Sequence, residues 1–157
     1  MYPTPDFMTK EDTLCSEEYF HRTLVLERKK TERYGRPFLL VFLDVGALLK
    51  ESLKPREIVV DGLAAALNAA TRDIDVKGWY RPDTLIGIIC TDVTKSDGAA
   101  MAAKIKARVG ADLSPDEVRK IKVYVIHYPD YEGRTNPNAD SNSIRELMPE
   151  RKGMFFS

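Results

Sequence analysis

The run FLLVFLDV at 38–45 constrains this chain more than any other stretch. Its apolar residues are continuous rather than alternating. That pattern suits a central strand buried on both faces. Other elements follow from local signals. Ser16 can N-cap a helix whose first turn holds Glu17 and Glu18, and Gly35 can end it, with Pro37 close behind. Residues 46–54 read as a short helix or loop. Pro55 can open the next helix, where Val59, Leu63, Ala66, Leu67 and Ala70 fall on one face. VKGWY and TLIGIIC read as a hairpin. Ser96 or Asp97 can cap a helix that turns Ala102, Ile105 and Val109 inward, and Ser114-Pro115 starts a turn or short helix. IKVYVI alternates, with Ile121, Val123 and Val125 on one side, and predicts a half-buried strand. The order α-β-α-α-β-β-α-β predicts an α/β sandwich with an antiparallel hairpin in its sheet.

The chain has 157 residues, enough for one domain with a substantial core. We place that domain at 13–129, behind a loose arm at 1–12 that holds Pro3 and Pro5. Residues 130–157 read as a polar, turn-rich loop and a truncated C-terminal segment with one short helix. Lys+Arg and Asp+Glu balance at 24 each, which argues against nucleic acid or an anionic membrane as the main partner. The run FLLVFL is too short to cross a bilayer, and the N-terminus lacks the apolar core of a signal peptide. The expectation is a cytoplasmic protein with no membrane insertion. Cys15 and Cys90 lack ligand spacing and read as free thiols. His21 and His127 have no partner spacing for a metal or a nucleophile, and Trp79 and Tyr80 read as sheet packing.

The hairpin turn is unusual. It carries Arg81-Pro82-Asp83-Thr84-Leu85, where glycines would be the easy choice. With its surroundings it resembles the GGDEF family, the diguanylate cyclase domain of bacteria. LCSEEYFHRTLVLERKKTERYGRPFLLVFLDV is similar to the family's opening helix and first strand. RDIDVKGWYRPDTLIGII is similar to the family's RxxDxxaRyGGDEFxvll, AAMAAKIKARV to the helix after it, and IKVYVIHYP to the last core strand. The resemblance covers roughly 12–129. It implies a palm-like fold, a mostly antiparallel five-stranded sheet flanked by helices.

Active members of that family join two GTP molecules into cyclic di-GMP by two-metal chemistry, which needs carboxylates at fixed places and backbone that can approach phosphate. By resemblance, Asp44 matches the first metal-binding aspartate and Asp83 the turn's metal carboxylate, both vestigial, while Gly46 replaces the second aspartate. Arg81 and Pro82 replace the two glycines, Thr84 the glutamate and Leu85 the phenylalanine. Pro82 removes an N–H and fixes φ, and Arg81 adds bulk where phosphate would lie. An Arg81 side chain lying toward Asp44 or Asp83 would replace a metal with an ion pair. No asparagine stands in the loop after Asp44; Ser52 is the nearest polar candidate for a guanine contact, and Glu57 falls where the family has its guanine-binding aspartate. The expectation is a degenerate cyclase, not an enzyme, that requires no cofactor; magnesium is a doubtful ligand.

One family feature is intact. The product-binding motif RxxD stands as Arg72 and Asp75, nine and six residues before Arg81. An arginine fork can pair with a guanine edge or a phosphate, and an aspartate can accept from guanine donors. Lys104 matches the second basic position, on the neighbouring helix. The resemblance therefore implies a cyclic di-GMP receptor that regulates signalling, exopolysaccharide or biofilm output. The alternatives are a protein-interaction module, with an unidentified protein partner or a second copy of itself, and residual nucleotide chemistry at Asp44 and Asp83.

Overall fold

The computed structural model of the protein describes residues 14–91 and 97–128. The element order is α1 (Glu17–Tyr34), β1 (Phe38–Asp44), α2 (Gly46–Glu51), α3 (Arg56–Ala70), β2 (Val76–Arg81), β3 (Leu85–Cys90), α4 (Asp97–Gly110), α5 (Pro115–Arg119) and β4 (Lys122–Tyr128). The four strands form one antiparallel sheet in the order β2-β3-β1-β4. β1 is central, with Val41 opposite Ile88 on one side and Val125 on the other. Two split β-α-β units interleave: β3 lies between β1 and β2, and β1 between β3 and β4.

Alternate residues of β1 feed two cores. Leu39, Val41 and Leu43 join Val59, Leu63 and Leu67 of α3 and Ala102, Ile105 and Val109 of α4. Phe38, Leu40 and Phe42 join Phe20 and Leu24 of α1. Leu39, Leu40, Val41 and Leu43 are wholly excluded from solvent. Burial on this scale contributes about 1.5–3 kcal/mol for each large side chain. The continuous apolar run is thus explained by a helix layer on each face.

α1 begins and ends as its sequence specifies. The Ser16 side chain accepts the Tyr19 N–H, and Gly35 takes a left-handed φ of 71° while its N–H reaches the Thr31 carbonyl. His21 ties this helix to β2. Its ring stacks on Tyr80 with centroids 4.5 Å apart, and its Nε2 lies 2.7 Å from the Tyr80 carbonyl. A carbonyl only accepts, so Nε2 carries the proton. Close approach of α1 also needs two facing glycines, Gly78 and Gly87, which pair across β2 and β3. A Cβ on Gly87 would stand 2.3 Å from the Phe20 ring, and one on Gly78 2.2 Å from the Cys15 sulfur.

One expectation needs correction. β4 is buried on both faces from Val123 to Ile126, not on one. The alternating tyrosines look polar, but Tyr124 and Tyr128 bury their rings. Tyr128 stacks on Phe38 at 5.1 Å and donates its hydroxyl to Glu32 at 3.3 Å. The described residues supply four strands where the resemblance implied five. The arm at 1–12, Ser96 as a cap and the segment 130–157 lie outside the described residues. Cys15 and Cys90 are free, buried and on opposite faces of the sheet. Burial pushes their thiol pKa values up to about 11 and about 12.

Gly87→Ala is expected to destabilise the domain by about 1–3 kcal/mol through overpacking against Phe20. Urea unfolding checks this. In combination with Phe20→Leu, which opens room for the methyl, the loss should be smaller than the sum of the two single losses.

Candidate functional site

The hairpin turn explains its own sequence. The Thr84 N–H reaches back to the Arg81 carbonyl at 3.1 Å, which closes a four-residue turn. Pro82 occupies the second position, where its fixed φ is already suitable. The third position must go left-handed, and Asp83 does so with φ 59°. Aspartate tolerates this better than most residues. Just before the turn the ladder slips: Trp79 faces Ile86 while Arg81 faces Leu85, which leaves Tyr80 as the extra residue of a bulge. The Val45 N–H then holds the Thr84 carbonyl at 2.9 Å and fastens the turn to the end of β1.

Asp83 is met by Arg56, from the first turn of α3. Arg56 Nε lies 2.6 Å from Asp83 Oδ1, and its guanidinium stands 5.7 Å from the centroid of the Trp79 ring. Arg56 therefore clamps α3 onto the hairpin by an ion pair and a cation–π contact. A signal for it was present: a cation in a first helical turn opposes the helix dipole, so it needs a partner elsewhere.

Asp44, the other expected metal carboxylate, accepts the Gly46 N–H on Oδ1 at 3.1 Å. One carboxylate thus closes a backbone turn and the other neutralises an arginine. Among the described residues no group of three or more His, Cys, Asp or Glu could hold a metal ion. The donor set does not fit a two-metal centre. Ser52 accepts the Lys54 N–H at 3.1 Å, and Glu57 is exposed in the first turn of α3.

Arg72 and Asp75 are brought together at the other end of α3. The Asp75 side chain is fully buried, whereas 46% of the Arg72 side chain is exposed. Asp75 Oδ2 accepts the Arg72 backbone N–H at 2.9 Å, and Oδ1 accepts Arg72 Nη2 at 3.1 Å. The Asp75 N–H returns to the Arg72 carbonyl at 3.0 Å. Arg72 Nη2 also donates to the Thr91 carbonyl at 2.6 Å, just beyond β3. The motif is a latch that joins the α3–β2 turn to the end of β3. Lys77, in the next strand, donates to the Asp75 carbonyl at 3.1 Å. Burial lowers the Lys77 pKa, and the neighbouring Asp75 and Asp73 partly offset the shift.

Thr91 also lines a cavity of ≈ 480 Å³ with Glu27, Lys30, Tyr34, Arg36 and Pro37. Lys30 is paired with Glu27 at 3.1 Å, and Arg33 stands 5.8 Å from the centroid of the exposed Tyr34 ring. Lys104 is exposed on α4, the helix that packs beside α3. The structure thus joins two of the three side chains expected to hold a ligand and sets the third on a neighbouring helix. The cavity was not foreseen, because α1 and the β3 end that line it are distant in sequence.

No family model matches the chain, and no curated protein matches it. Solved structures do. The GGDEF domain of DgcB from Caulobacter crescentus, in complex with c-di-GMP, is 12% identical with a TM-score of 0.64, over 98% of this chain and 94% of that one. A DGC protein from Thermotoga maritima is 15% identical with a TM-score of 0.59, over 91% of this chain and 98% of that one. The diguanylate cyclase SiaD from Pseudomonas aeruginosa, in complex with its activator SiaC, is 14% identical with a TM-score of 0.57, over 85% of this chain and 51% of that one. The chain has the fold of GGDEF domains. Among the described residues no helix is long and apolar enough to cross a membrane.

Asp75→Ala is expected to cost about 1–3 kcal/mol in urea unfolding, because two Arg72 donors lose their acceptor in a buried turn. The pair at the hairpin is half-exposed, so a double-mutant cycle of Arg56→Ala and Asp83→Asn should return only about 0.2–1 kcal/mol of coupling. Asp83→Gly should lose less stability than Asp83→Ala, since only glycine is unstrained at a positive φ.

Proposed function

We propose that this domain is a non-catalytic receptor for cyclic di-GMP, which it meets through Arg72 and Lys104, with Asp75 holding Arg72 in place. The observation that carries the reading is the latch: a buried carboxylate holds a half-exposed arginine fork in one orientation. Pre-setting the fork lowers the entropy lost when it pairs with a guanine edge or a phosphate. Arg72 contacts Thr91, which also lines the cavity that holds Lys30 and Arg36, so cations for a phosphate lie nearby. In this arrangement Asp75 orients Arg72, and its own oxygens are taken by Arg72 donors. The likeness to a GGDEF domain in complex with c-di-GMP supports the same ligand class.

The absence of catalysis rests on the turn. Pro82 offers no N–H to a phosphate, Asp83 is neutralised by Arg56, and Asp44 closes a backbone turn. A receptor without chemistry acts through what it touches, and the bound state would pass to a protein partner that regulates signalling, exopolysaccharide or biofilm output. The cyclase SiaD, of similar fold, is held in complex with an activator protein, which supports a protein partner.

Calorimetric titration of cyclic di-GMP into the whole chain tests this. Micromolar binding is expected. Lys104→Ala, which alters an exposed side chain, should weaken it without changing stability. Arg72→Lys keeps the charge but loses the fork, and Arg72→Ala should weaken binding by about 2–5 kcal/mol. Absence of heat with folded wild-type protein would leave Arg72 and Asp75 as a structural latch and the domain as a protein-interaction module.

A further inference from the structure

The latch leaves one edge of a guanine unread. An arginine fork pairs with O6 and N7 or with a phosphate. Guanine also carries N–H donors at N1 and N2, and an ionised carboxylate, which only accepts, matches both. Asp75 cannot be that acceptor. Its side chain is fully buried, and both its oxygens are taken by Arg72, Oδ2 by the backbone N–H at 2.9 Å and Oδ1 by Nη2 at 3.1 Å. The acceptor has to come from another element.

We infer, on the receptor reading, that Glu27 and Tyr34 of α1 read one guanine of the ligand in the cavity beside the latch, with Glu27 as the acceptor for N1–H and N2–H and Tyr34 as the stacking platform. The cavity measures ≈ 480 Å³, within the range of small-molecule sites. Thr91, whose carbonyl accepts Arg72 Nη2 at 2.6 Å, belongs to its wall, so latch and cavity share a boundary. Glu27 and Tyr34 both line it. Only 16% of the Glu27 side chain is exposed, and Lys30 donates to its Oε2 at 3.1 Å. That bond holds the carboxylate in place and leaves Oε1 for another donor. Tyr34 is 66% exposed, so its ring offers a π-face that no core packing uses. The two residues are seven apart, which puts them on one face of the helix about 10 Å apart along its axis. A base that stacks on the ring can therefore turn its edge toward the carboxylate. Adenine would present an N1 acceptor to the same carboxylate, two acceptors facing each other without a proton between them. Asp73, exposed in the latch turn, does not line the cavity.

Calorimetric titration of the whole chain with cyclic di-GMP and with its adenine counterpart, cyclic di-AMP, provides the test. The wild type is expected to prefer the guanine ligand at least about tenfold. Glu27→Gln should remove most of that preference, while Asp73→Asn keeps it. Tyr34→Leu should weaken both ligands by a similar factor of about ten, since stacking tolerates any base, and Tyr34→Phe should restore both. Circular dichroism checks that each variant is folded; all three positions lie outside the core clusters. A preference that survives Glu27→Gln, or that is lost in Asp73→Asn, overturns the inference and leaves the receptor reading intact. Equal binding of the two ligands by the wild type does the same. A wild type that binds neither ligand overturns the receptor reading, and this inference with it.

Discussion

The double-sided burial of β1 is the constraint on which the rest depends. Phe38 to Leu43 have no exposed face, so a neighbour must stand at each edge and a helix layer on each side. With β3 and β4 at those edges, the β1–β2 and β3–β4 connections must run over a face of the sheet. α3 and α4 cover one face and α1 the other. The two ends of the sheet then become the places where connections meet. One end holds the Asp44 terminus of β1, the hairpin turn and the start of α3. The other holds the end of β3 and the C-terminus of α1 beside the start of β1. Both candidate sites sit at these ends because loops, not strands, can present polar groups there.

The two ends have different electrostatic character. At the hairpin, acidic and basic side chains satisfy each other: Arg56 meets Asp83, and Asp44 is used by backbone. The turn is held by proline, a bulge and a left-handed aspartate. At the latch the arrangement is asymmetric. The carboxylate is buried and the guanidinium is half in water. An asymmetric pair of this kind is rigid on the inside and approachable from the outside, which suits recognition without chemistry. That contrast is the ground on which a receptor, and not an enzyme, is proposed.

Much of the frame was legible in the sequence, for physical reasons particular to each element. Ser16 and Gly35 mark α1 because a hydroxyl can accept an orphan N–H and only a glycine goes left-handed without strain. The apolar face of α3 was visible because its spacing follows the helical turn. β4 was misread, since tyrosine counts as polar in an alternating pattern while its ring is large enough to be core. His21 lacks any metal or nucleophile spacing in the sequence, and only the fold shows what it packs on: Tyr80, 59 residues away.

The sequence alone determined the order of elements, the central place of β1, the positions of the turn and the RxxD spacing, since each depends on residues close together in the chain. Tertiary structure decided who meets whom. That Arg56 meets Asp83, and that Arg72 and Thr91 link the latch to a cavity under α1, are outcomes of packing between distant segments. Local propensity carries no information about such pairings, because the cost of burying a charge is settled only when the fold supplies its partner.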